Sequence, residues 1–118
     1  MSSGYEFTGR SELDTAVDLW ISDETSATNT YGDINTWDVS AITDFSSLFE
    51  DEDTFNSDIS NWDVSNVVSF SQMFDGATSF NQDISNWDVS SGEYFDWILQ
   101  GATAFNQDIS NWDVRNGK

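Results

Sequence analysis

Apolar residues recur along the chain in short clusters separated by polar stretches rich in Asp, Asn and Ser, and the clusters keep one spacing. Trp37, Trp62, Trp87 and Trp112 each open a Trp-Asp-Val triplet, with 25 residues between successive tryptophans. Ile34, Ile59, Ile84 and Ile109 keep the same interval, as do Phe45, Phe70 and Phe95, and Phe55, Phe80 and Phe105. A fixed period of this length marks a chain built from repeated units that bury their apolar sides against one another. Three full copies fill residues 33–107, and a partial fourth begins at Asp108.

Within a copy, Trp62-Asp63-Val64 alternates apolar and acidic residues, the pattern of a short strand with one face buried. Val67, Phe70, Met73 and Phe74 follow at the spacing of one helix side, with Gly76 as a stop signal. Ser69 and Gln72 form a capping-box pair at its start. These signals predict an α/β solenoid: a leucine-rich-repeat-like, right-handed coil of 25-residue repeats, each a short parallel strand plus a short helix. Residues 1–32 do not repeat and are expected to form an N-terminal cap. Leu13, Ala16, Val17, Trp20 and Ile21 place a helix at about 11–22 over the open end of the solenoid, which occupies 33–118.

Charge narrows the function. Of 118 residues, 22 are acidic and three basic, a formal net charge of −19. Phosphate-backbone affinity comes from Lys and Arg, so nucleic acid is excluded as a partner. No apolar run approaches the length of a membrane span, so membrane insertion is not expected. The chain has neither Cys nor His, which removes disulfides, thiolate chemistry and imidazole catalysis. Carboxylates alone could serve glycoside hydrolysis, but a repeated ladder singles out no pair with separated pKa values. The protein is therefore read as not an enzyme.

Several positions stand out. If Trp and Val of each triplet face inward, Asp38, Asp63, Asp88 and Asp113 form an outward carboxylate row about 5 Å apart, a candidate binding face. No cofactor is required, and Ca²⁺ is the ion that such oxygens would recruit. Glu50, Asp51, Glu52 and Asp53 form the densest charge and are the candidate metal loop. Trp97 occupies a column filled by Ser47 and Gln72 in the earlier copies, and Gly92 stands where Ile42 and Val67 stand. An outward Trp is a candidate hot spot for a partner. The strand at Trp112 and Val114 should be an open edge, and a homodimer through this C-terminal edge is expected.

The segments NWDVSN, MFDGATSFNQDISNWDVS and GATAFNQDISNWDV resemble the 25-residue repeat of mycoplasma-type surface lipoproteins and BspA-like proteins, a group placed with leucine-rich repeats. LDTAVDLWISDETSATNTYGDINTWDVS is similar to the cap that precedes the first repeat in that family. The resemblance covers roughly Phe7 to Asn116 and brings no catalytic residues. It implies surface display, adhesion or host interaction, and hence an extracellular or cell-surface location, although no export signal and no lipobox Cys occur in this chain. The expected function is a non-catalytic surface or secreted binding and adhesion module with an acidic repeat face and a protein or glycan ligand. The alternatives are a self-assembling structural unit and a calcium-dependent surface protein.

Overall fold

A computed structural model describes residues 4–118 of the chain; residues 1–3 of the expected N-terminal cap lie outside them. Helix α1 spans Arg10–Ser22 and buries Leu13, Ala16, Val17 and Trp20. Helix α2, Glu24–Tyr31, follows after Asp23, whose carboxylate caps it by accepting from the Ser26 N–H at 3.2 Å. One 3₁₀ turn covers Ile34–Thr36. Before α1, residues 5–7 run parallel to the first Trp-Asp-Val triplet. Phe7 N–H donates to the Asp38 carbonyl at 3.0 Å, and Asp38 N–H donates to that of Tyr5 at 2.8 Å. Phe7 is fully buried, 5.1 Å from the ring of Trp37.

The remainder corrects the sequence expectation. Among the described residues there is no strand and no sheet, only three isolated parallel bridges, Glu6 with Asp38, Asp44 with Ser69 and Ser69 with Tyr94. The chain is a body of 38 × 30 × 22 Å with two helices at its N-terminal end. It is neither an α/β solenoid of parallel strands nor a leucine-rich-repeat-like coil, and the helix expected after each triplet does not form.

Two local preferences account for the difference. In each triplet the Asp side chain turns back on its own backbone: Asp38, Asp63 and Asp88 accept from the N–H of Ser40, Ser65 and Ser90 at 3.0 to 3.1 Å. This Asx turn competes with strand extension. Where a helix was expected, consecutive turns form instead, from Phe45 to Leu48 and Phe49 to Glu52, and from Phe70 to Met73 and Phe74 to Ala77. The third residue of each turn has positive φ: Ser47 at 60°, Asp51 at 61°, Gln72 at 57° and Gly76 at 79°. That geometry belongs to type II turns and is incompatible with a right-handed helix. The i, i+3 spacing of apolar residues is kept by the turns, so the same residues still point inward.

Adjacent copies are joined in a fixed register. The N–H groups of Phe45, Ser47, Phe49 and Asp51 donate to the carbonyls of Ser69, Ser71, Met73 and Asp75 at 2.7 to 2.9 Å. Phe70, Gln72, Phe74 and Gly76 repeat the pattern toward Tyr94, Asp96, Ile98 and Gln100 at 2.7 to 2.9 Å. Side chains continue it: Asn81 N–H reaches Asn56 Oδ1, and Asn106 N–H reaches Asn81 Oδ1, both at 2.8 Å. The core between copies is aromatic. Phe55, Phe80 and Phe105 stack at 5.9 and 6.0 Å, and Phe49 lies 5.6 Å from Phe74. Burial is graded along the chain, with Phe55 and Phe80 inside the core and Phe105 and Trp112 only packed against it.

Candidate functional site

The acidic row is built from the Asx turns. One oxygen of Asp38, Asp63 and Asp88 also accepts from the hydroxyl of the following Ser at 2.6 Å, so each carboxylate holds two donors. Asp113 departs from this, because Arg115 replaces the Ser: its N–H donates at 3.2 Å and its Nε lies at 3.0 Å. The Ser40 hydroxyl and amide hold the Asp38 carboxyl below the usual range, and Ser90 does the same for Asp88. For Asp113 the Arg115 backbone amide acts first and its guanidinium second. The row is therefore engaged in local structure, with each carboxylate held by donors two residues on. Asp38 and Asp63 share one open hollow of about 460 Å³, lined with Asn35, Thr36, Ser40 and Asn61, whereas Asp88 and Asp113 lie outside it.

The Glu50-Asp51-Glu52-Asp53 segment comes near α1 at Asp18, whose charge acts on Glu52. Asp51 is held by its backbone, whose N–H donates to Asp75 at 2.7 Å, and Asp53 offers its carbonyl to the Thr78 hydroxyl at 3.3 Å. Glu52 is partly buried, and burial raises its pKa; the neighbouring charges of Asp18, Asp53 and Asp51 act in the same direction. Among the described residues no group of three or more carboxylates converges as a metal ion requires.

The third copy carries the exposed apolar surface. Trp97 is 64% exposed and Tyr94 41%. Trp97 has a φ of 56°, matching Ser47 and Gln72 in the equivalent turn position, so the backbone sets the side chain outward. Gly92 explains the neighbouring ring: a Cβ there would lie 2.5 Å from Cζ of Phe95, which occupies the space of the missing side chain. Phe95, Ile98 and Leu99 are only partly buried.

At the expected edge, Trp112 is anchored through Nε1 to the Ile84 carbonyl at 3.1 Å and stacks on Trp87 at 6.4 Å. Val114 is 49% exposed, and its carbonyl accepts from Gly117 N–H at 2.8 Å. A more regular edge lies elsewhere. The N–H groups of Phe95, Trp97, Leu99 and Gly101, equivalent to the four donors of each earlier copy, find no acceptor among the described residues. No side-chain pattern in the sequence marks this row, because its groups are backbone amides.

The family model described as Mycoplasma protein of unknown function, DUF285, matches residues 7–118, and the chain belongs to that family. Neither the search of curated proteins nor that of solved structures found a match.

Proposed function

We propose that this DUF285 chain is a non-catalytic binding module, displayed at a surface or secreted, whose contact patch is centred on Trp97. The observation that carries the reading is the 64% exposure of a Trp where the two preceding copies hold Ser and Gln. Tryptophan offers a large contact area at low entropic cost and is enriched among interface hot spots. Tyr94, also exposed, extends the patch. The resemblance of the repeats to BspA-like surface proteins supports the location, and the absence of His and Cys supports the non-catalytic part. The acidic row contributes a field that repels anionic partners and selects neutral or cationic ones.

The test is a glycan and protein binding screen with the parent chain and Trp97→Ser. A ligand retained by the parent and lost by the variant, with an unchanged melting temperature, is the expected result. Ligands that bind both chains equally would remove Trp97 from the site.

A further inference from the structure

The hollow shared by Asp38 and Asp63 encloses about 460 Å³, and every residue lining it lies between positions 35 and 63, where the first copy meets the second. Its walls are polar. Trp37, the one apolar residue of the lining, is 2% exposed and offers almost no ring surface. Asp38 is half-buried, whereas Asp63, Asp88 and Asp113 are exposed, so the carboxylate row is recessed only at its first member.

The groups left open in the hollow are of both kinds. In Asp38 and Asp63 the Oδ1 atom takes both turn donors, and Oδ2 accepts nothing among the described residues. Asn35 Oδ1 accepts from the Asn61 N–H at 3.0 Å, which leaves Asn35 Nδ2 without an acceptor among those residues, and the Asn61 side-chain amide has no partner there either. Two carboxylate oxygens that accept and two amides that donate thus share one hollow. The first copy builds it with residues of its own. Asn35-Thr36 stands where the later copies hold Ser60-Asn61, Ser85-Asn86 and Ser110-Asn111.

We infer that this hollow is a saccharide site, which takes a neutral sugar through its hydroxyls. A hydroxyl both donates and accepts, so neighbouring hydroxyls can give to a carboxylate oxygen and take from an amide. An ammonium or guanidinium group only donates and would leave the Asn donors unused. An anionic sugar meets the charges of Asp38 and Asp63 and the field of a chain with net charge −19. The volume lies within the range of about 300–1,000 Å³ usual for small-molecule sites, and polar walls select a polar ligand. With the Trp37 ring covered, recognition rests on hydrogen bonds, and an open hollow of this kind should bind weakly, with a Kd of about 1–10 mM. The site goes beyond the Trp97 reading, since none of its residues belongs to the third copy.

The full chain is titrated with methyl glucoside, methyl galactoside and N-acetylglucosamine to roughly 50 mM, and the side-chain amide resonances of Asn35 and Asn61 are followed. Saturable shifts of both amides with at least one sugar support the inference, provided that Asp38→Asn weakens binding by roughly tenfold or more. That variant keeps an oxygen for the Ser40 N–H and so preserves the turn. Asn35→Ser is the second variant, because it places in the first copy the residue of the later ones; it should weaken the same sugar and leave the melting temperature within a few degrees of the parent. Silence of both amides with all three sugars overturns the inference. Shifts produced by methylguanidinium or glucuronate but by none of the neutral sugars overturn it as well, and so does a sugar whose affinity is unchanged in both variants.

Discussion

The indole N–H of Trp62 donates to the carbonyl of Ile34 at 2.8 Å, joining residues 28 positions apart, and Trp87 makes the same bond to Ile59 at 3.1 Å. Each Trp thus ties its own copy to the one before, while its ring packs on Phe45 and Phe49 at 5.7 and 6.0 Å in the case of Trp62. Trp62→Phe keeps most of the packing and removes one of two donors to the Ile34 carbonyl, which still accepts from Trp37 N–H at 3.2 Å, so it should cost about 0.5–1.5 kcal/mol. Trp62→Ala adds a cavity and should cost about 3–5 kcal/mol. Denaturant unfolding monitored by circular dichroism checks both, and an unchanged stability of Trp62→Phe would show that the hydrogen bond contributes nothing.

Asp51 stands in the column filled by Gly76 and Gly101, and all three have positive φ. Glycine adopts that conformation without the Cβ clash that other residues meet. Asp51→Gly removes both this strain and one of the charges facing Glu52, and should stabilise the protein by about 1 kcal/mol. Gly76→Ala should destabilise it, because the new Cβ would meet the Asp51 carboxylate. The two effects should be non-additive, with Gly76→Ala less costly in the Asp51→Gly background. Melting temperatures of the four chains complete the cycle.

The response to pH should have two opposed parts. The folded pKa values of Asp38, Asp83, Asp88 and Asp108 are lowered by Ser hydroxyls and amides. Their stabilisation is present above the unfolded carboxylate pKa, about 3.9, and is lost as pH falls through the lower folded values. Glu52 is raised, so its contribution is present below its unfolded pKa and is lost as pH rises through the folded value. The melting temperature should rise modestly as pH falls from 7 to about 5, then drop below about pH 4. Glu52→Gln should flatten the upper part and leave the acid drop in place.

Salt should stabilise the chain without a specific ion. Screening shortens the reach of charge from about 10 Å at 0.1 M to about 3 Å at 1 M, so NaCl should raise the melting temperature. The Asp38, Asp63 and Asp88 carboxylates are occupied by turn donors, and no three acids converge among the described residues. Millimolar Ca²⁺ should therefore add nothing beyond matched ionic strength, as read by calorimetry. A saturable heat with a fixed stoichiometry would place a calcium site on the chain.

The period was legible because burial repeats with it: Ile34, Ile59 and Ile84, Trp37, Trp62 and Trp87, and Phe45 and Phe70 are all buried. The secondary structure of the repeats was not, because period alone does not distinguish ways of turning the chain inward, whereas the helix expected at about 11–22 is present as α1. Phe70, Met73 and Phe74 satisfy a helix pattern, yet turns with positive φ at Gln72 and Gly76 place the same residues inside. Gly76 and Gly101 in one column were the available warning. Asp followed two residues later by Ser, as in Asp63 and Ser65, was a second one, since that pair closes an Asx turn rather than extending a strand. Helix α2 was hidden by its Thr-rich sequence, and only Asp23 with Ser26 marked its start. The exposed Trp97 was legible from its column. The donor row beside it was not, since unpaired amides leave no trace in side-chain pattern.

The graded burial of the aromatic columns also sets an order of release. Opening free energies within a protein follow the local density of buried contacts, so the segment from Gly92 to Lys118 forms the least protected unit and α1 with the first two copies the most protected. Thermal fluctuations will detach the third copy while the Asn56, Phe55 and Trp62 neighbourhood stays closed. The same segment that presents Trp97 is thus the part of the molecule that reshapes at the smallest cost, and the helical end acts as the fixed anvil against which it reforms.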